Sequence, residues 1–160
     1  LLFMGQDFGQ EREWREEREL DWYLLGEEQN KGMHEYVKEL LNLYHKYPAL
    51  YSIDNDWSGF EWLNADDSDR SVYSFYRKDE TGKNNIMFVI NMTPMMWENY
   101  MIGVPKKKKY KLLLNSDDKR FGGQGHEIPA EINAVKGECN FKKYNISFDL
   151  PPYTAAVFVF

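Results

Sequence analysis

Hydrophobic positions change their spacing twice along this chain. The opening run, Leu1-Leu2-Phe3-Met4 closed by Gly5, is apolar without interruption, the pattern of a strand covered on both faces. Such a strand cannot stand by itself at an edge, so the run predicts partner strands outside the sequence and a chain cut from a longer protein. From Lys31 to Tyr47 the residues Met33, Tyr36, Val37, Leu40, Leu41, Leu43, Tyr44 and Tyr47 recur by threes and fours, which predicts an amphipathic helix. Asn30 is its expected N-cap, and Pro48 stops it because proline lacks a backbone donor and disfavours helical geometry at the residue before it. Beyond about Trp57 the helical spacing gives way to short β-branched and aromatic runs between turn residues. The predicted strands are 60–64, 71–77, 86–91, 98–104, 110–114, 145–150 and 155–160, with Asp66–Asp69 and Asp79–Lys83 supplying early turns. With no helix between them they favour an antiparallel sandwich over a parallel sheet. The expected fold is mainly β, preceded by a strand and a helix from an α/β unit.

Charge narrows the partners. Twenty basic against 26 acidic residues leave a net charge of −6, so the average field repels phosphate backbones and anionic membrane surfaces. No apolar run approaches the roughly 20 residues that span a bilayer. Neither nucleic acid nor membrane is expected as a partner. The basic run Lys106–Lys109 reads as the solvated tip of a hairpin that discourages edge pairing. A single cysteine, Cys139, cannot close an internal disulfide, which favours a reducing cytoplasm and a packing or loop thiol. No basic n-region or small-residue cleavage site reads as a targeting segment.

The chemistry-bearing residues are sparse. HExxH, CxxC and GxSxG are absent, and Phe121-Gly122-Gly123-Gln124-Gly125 lacks the spacing of a phosphate-binding loop. His34, His45 and His126 have no second ligand at metal spacing, so neither metal nor cofactor is expected. A glycoside-cleaving site needs two carboxylates in distinct roles; Asp7, just after the apolar run, is one, and no catalytic pair can be assigned. The charge-rich stretch from Asp7 to Asp21 is either a solvated loop or short helix, or the segment leaving the carboxyl end of a strand, where ligands sit in α/β folds. On the second reading Asp7, Gln10, Trp14 and Trp22 line a polar pocket. The aromatic fraction of 16% fills a β core, or lends rings that stack on a flat ligand such as a sugar.

Taken together, several stretches resemble the C-terminal end of bacterial-type 1,4-α-glucan branching enzymes of the α-amylase superfamily. They are the segment Leu1–Gln10, Glu13-Trp14, Leu20-Asp21-Trp22, Leu41–Tyr44 with Pro48-Ala49-Leu50, Gly59–Leu63, Asn91–Pro94, Asn99–Pro105, Leu114–Asp117 with Phe121-Gly122-Gly123, and Leu150-Pro151-Pro152. Their order and spacing carry the likeness. The resemblance implies that residues 1–50 are the last strand, loop and helix of a catalytic (β/α)₈ barrel. It makes residues 51–160 the α-amylase-type C-terminal all-β domain.

The parent it implies cleaves an α-1,4-glucan such as glycogen or amylose, holds the cut chain on a carboxylate and transfers it to a 6-hydroxyl. Its catalytic acids lie upstream of Leu1, so none is expected in this chain, and Asp7, Gln10, Trp14 and Trp22 are expected only to line the glucan groove. Asp7 departs from the family's usual Glu by one methylene, which would lengthen a direct polar contact. The segment between Gly125 and Asn145 matches poorly. Other readings are a glucan-binding module using Trp57, Trp62 or Trp97, the C-terminal domain of a related α-glucan hydrolase, or a sandwich that only props the barrel. Surfaces made to pack on absent barrel units are expected to self-associate.

Overall fold

A sheet must cover its apolar face, and here two sheets cover each other. The computed structural model describes residues 3–160. Its one α-helix among these is α1 (Glu28–Lys46), and its strands are β1 (Phe60–Asp67), β2 (Val72–Arg77), β3 (Ile86–Asn91), β4 (Trp97–Val104), β5 (Lys109–Asn115), β6 (Glu131–Asn133), β7 (Val135–Cys139), β8 (Lys142–Leu150) and β9 (Ala155–Val159). Two compact units result: residues up to Lys46 together with Ser116–Gly125, and Tyr47–Asn115 together with His126–Phe160.

The second unit is the expected antiparallel sandwich. One sheet has the order β1-β2-β3-β9-β5-β6 and the other β4-β8-β7. Alternation along each strand sends every second side chain inward. Val72 and Tyr76 of β2, Met87 and Val89 of β3, and Ala156 and Phe158 of β9, with Phe160 just beyond it, thus meet Tyr100, Ile102 and Val104 of β4 and Ile146, Phe148 and Leu150 of β8 in one core. Phe148 and Phe158 meet edge to face across it at 5.3 Å, and Tyr110 stacks on Phe160 at 4.7 Å. Polar ties join the sheets as well. The Tyr100 hydroxyl donates to Asp67 at 2.7 Å, and Lys142 on β8 donates to Glu61 on β1 at 2.6 Å. Gly103 has no room for a side chain, because a Cβ there would run into the Cys139 carbonyl.

Several expectations need correcting. Leu1 and Leu2 lie outside the described residues; Phe3 and Met4 belong to no strand and are exposed. The Phe3 carbonyl instead accepts from Gln6 N–H at 3.0 Å, and Gly5, with φ of 87°, turns the chain into a 3₁₀ turn over Gln6–Phe8. A strand exists only through a paired backbone, and no described strand pairs with these two residues. The helix begins three residues earlier than the spacing indicated, so Asn30 lies inside its first turn and does not cap it. Its amide donates to the carbonyls of Phe8 at 2.8 Å and Gly9 at 3.2 Å. Lys106–Lys108 are not a hairpin tip: they cross from β4 in one sheet to β5 in the other, and Lys109 opens β5. β6 and β7 were missed because each pairs on one side only, at an edge that needs little apolar content.

In the first unit, residues from a distant part of the sequence complete the packing. Ser116–Gly125 folds onto α1, where Phe121 meets Tyr36 edge to face at 5.3 Å. A Cβ on Gly32 would lie 2.8 Å from the Phe121 carbonyl carbon, so the approach needs glycine. The glycine loop closes on Asp117, whose carboxylate accepts from Gln124 N–H at 2.8 Å and whose carbonyl accepts from Gly125 N–H at 2.7 Å. No described helix is long and apolar enough to cross a membrane.

Candidate functional site

The charge-rich stretch of the first unit is a loop with a closed base, not a helix. Gln10 stands at one end and Asp21 at the other. The Gln10 side-chain carbonyl accepts the Asp21 N–H at 2.8 Å, and its amide donates to the Arg12 carbonyl at 2.7 Å. Arg12 Nε donates to the Asp21 carboxylate at 3.0 Å, and Arg12 Nη2 reaches the Tyr23 hydroxyl at 3.4 Å. Asp21 is buried, and a buried carboxylate is costly unless paired. Arg12 supplies the pair. Tyr23 and then Asp21 push the guanidinium pKa up, so it remains charged.

Trp22 follows directly. Its ring lies on Phe8 at 5.3 Å between centroids; Phe8 is fully buried, whereas Trp22 keeps 51% of its surface exposed. Because Asn30 on α1 holds the Phe8 carbonyl, the ring is mounted on the helix as well as on the loop base. Asp7 and Trp14 stand apart from this network. The Asp7 carboxylate lies 3.4 Å from His34 Nδ1 on α1, and Trp14 meets Phe3 edge on at 6.3 Å. Of the four residues singled out from the sequence, the structure therefore ties Gln10 to Trp22 through Asp21. Gln10 has both amide groups engaged within the loop.

Sequence reasoning missed Arg12, Asp21 and Tyr23. The available signal was a Gln and an Asp bracketing a mixed-charge insert just before a tryptophan. Inside the loop, Arg15, Glu16, Glu17 and Arg18 border an open concavity of 570 Å³. Among the described residues no group of three or more His, Cys, Asp or Glu could hold a metal ion.

The sandwich carries rings of its own. Trp57 is 91% exposed and Trp62 half-exposed, and Trp62 packs on Phe60 and Phe75 at 5.1 and 5.6 Å. Trp97, the third ring considered, packs against the core instead. A concavity of 340 Å³ beside Trp57 is lined by Ile53–Trp57, Phe60 and Arg77, with Arg77 bonded to Asp54 at 2.7 Å.

The two antiparallel sheets fall within one established domain family. Residues 62–160 match the alpha amylase C-terminal all-beta domain, and the chain belongs to that family. Relatives extend the match over both units. The chain is 60% identical along its whole length to a 1,4-alpha-glucan branching enzyme GlgB of Butyrivibrio fibrisolvens, spanning 25% of that protein. It is 37% identical over 98% of its length to the GlgB of Geobacillus stearothermophilus, again spanning 25% of it. Among solved structures, trehalulose synthase MutB superposes with a TM-score of 0.52 at 15% identity, over 85% of this chain and 19% of that one. That last likeness is one of fold.

Proposed function

We propose that this chain is the C-terminal part of a 1,4-α-glucan branching enzyme. In this reading residues 1–50 contribute the last strand, loop and helix to the catalytic barrel, and residues 51–160 form the all-β domain that follows it in the chain. The observation that carries the reading is the 60% identity to a GlgB, which runs unbroken across both units.

The reaction asks two things of an enzyme. Carboxylates must break and remake the glycosidic bond, and binding groups must hold a long neutral glucan in place while this happens. The catalytic acids belong to the upstream barrel strands, and the residues of this chain act on the second requirement. Asp7, at the head of the loop, and Trp14 and Trp22, with exposed ring surface, border the groove through which α-1,4-glucan runs. Rings suit that ligand because the flat apolar face of a glucose unit stacks on an aromatic ring.

Two assays on amylose test this. Full-length protein should lower the iodine absorbance of amylose and yield α-1,6 linkages by proton NMR, while the 160-residue chain alone should do neither. Branching by the isolated chain would place the catalytic acids here and overturn the reading. A full-length protein that shortens amylose without creating α-1,6 linkages would make the parent a hydrolase.

A further inference from the structure

We infer that Gln10, Arg12 and Asp21 form a clasp that positions Trp22 as the ring on which an α-glucan chain lies, an assignment that rests on the glucan reading above. Trp22 and Trp14 are both partly exposed rings, but they are held very differently. Trp14 sits within the excursion between Glu11 and Leu20 and touches Phe3, itself an exposed residue. Trp22 has one face on fully buried Phe8, and the residue before it is fixed at two points. Asp21 N–H bonds to Gln10 at 2.8 Å and the Asp21 carboxylate bonds to Arg12 at 3.0 Å. A ring held in this way has lost its freedom before the ligand arrives, so less binding energy goes into ordering it.

The polar groups serve the mounting of that ring. The Arg12 side chain is 56% exposed, and it reaches the hydroxyl of Tyr23, the exposed neighbour of Trp22. The guanidinium is spent on Asp21 and the Tyr23 hydroxyl, so Arg12 acts on the mounting of the adjacent ring and not on the sugar itself. Gln10 turns its carbonyl to the Asp21 N–H and its amide to the Arg12 carbonyl. It is a positioning residue, as is Asp21.

The test uses the full-length enzyme, with amylose as substrate. Trp22→Ala should raise KM about threefold to tenfold, the range expected for one ring contact. Arg12→Ala should raise KM by a similar factor, more than it lowers kcat, the mark of lost binding. It should also speed trypsin cleavage after Arg15 and Arg18 as the loop base opens. Arg12→Lys, which keeps a charge opposite Asp21, should recover part of the loss, and this variant carries the test if the alanine form folds poorly. The double variant Arg12→Ala/Trp22→Ala should be no worse than Trp22→Ala alone, because the clasp acts through the ring. If Trp22→Ala raises KM while Arg12→Ala and Asp21→Asn leave it unchanged, or if the two effects simply add, the clasp is overturned and the glucan reading stands. An unchanged KM in Trp22→Ala overturns both the clasp and the place of Trp22 in the groove.

Discussion

Glu61 shows how much one side chain can connect. On β1 it accepts from Tyr76 on β2 at 2.6 Å, from Lys142 on β8 at 2.6 Å and from Lys78 at 2.7 Å. Burial penalises its charged form, but the bonds from Lys142, Lys78 and Tyr76 outweigh that and bring the carboxyl from 4.5 down to about 2. A carboxyl whose pKa is depressed on folding contributes stability above its unfolded value, and that contribution disappears as the pH falls toward the folded one. The chain should therefore lose stability between pH 4.5 and about 2. Glu61→Gln should lower stability by about 1 kcal/mol at neutral pH and flatten this part of the acid profile. Urea midpoints across the acid range check both statements; an unchanged acid slope in the variant would show that the cluster is not what titrates. Residue identity made such clusters hard to see beforehand, because Glu61 and Lys142 are far apart in sequence and meet only after the sheets stack.

Helix α1 illustrates the next scale. Its threes and fours of apolar residues announced a helix, yet only Gly32 and Leu43 are buried, while Met33, Leu41 and Tyr44 are exposed. Periodicity reveals that a face is apolar without revealing what covers it. The Gly32 contact was hidden for the opposite reason, since a mid-helix glycine looks like a weakness of about 1 kcal/mol relative to alanine. Here it admits the Phe121 backbone. Gly32→Ala gains in helix propensity but forces the Ser116–Gly125 loop off α1, and a net loss of about 1–3 kcal/mol is expected. Thermal melts would show it, with Gly26→Ala as comparison, because nothing lies within 4 Å of a Cβ there. A melting point raised by Gly32→Ala would mean that the loop gives way at little cost. Among the strands, β3 was legible to the residue, whereas β6 and β7 were not, since edge strands carry polar residues on most positions.

For the molecule as a whole, the chain spans a quarter of the relatives that match it over its full length. On the proposed reading the exposed Met33 and Leu41 of α1 belong to a surface that packs on the rest of a barrel, and in the isolated chain we expect copies to cover it for one another. Light scattering over a concentration series should show the average mass rising, and Leu41→Lys should suppress the rise; a mass that stays monomeric throughout would count against it. The sequence alone determined the mainly β class, the helix with its proline stop, and the resemblance to branching enzymes, because these depend on local spacing and on words read in order. Which carboxylates are paired, which rings are free and which glycine is indispensable were decided by tertiary structure. Gln10 is joined to Asp21 and to the Arg12 carbonyl at the base of the loop, and Trp97, one of the three rings offered for a glucan, packs against the core. The physical reason is common to both: a side chain's chemistry is set by what occupies the space around it, and in this fold those neighbours come from distant parts of the chain or across a folded-back loop.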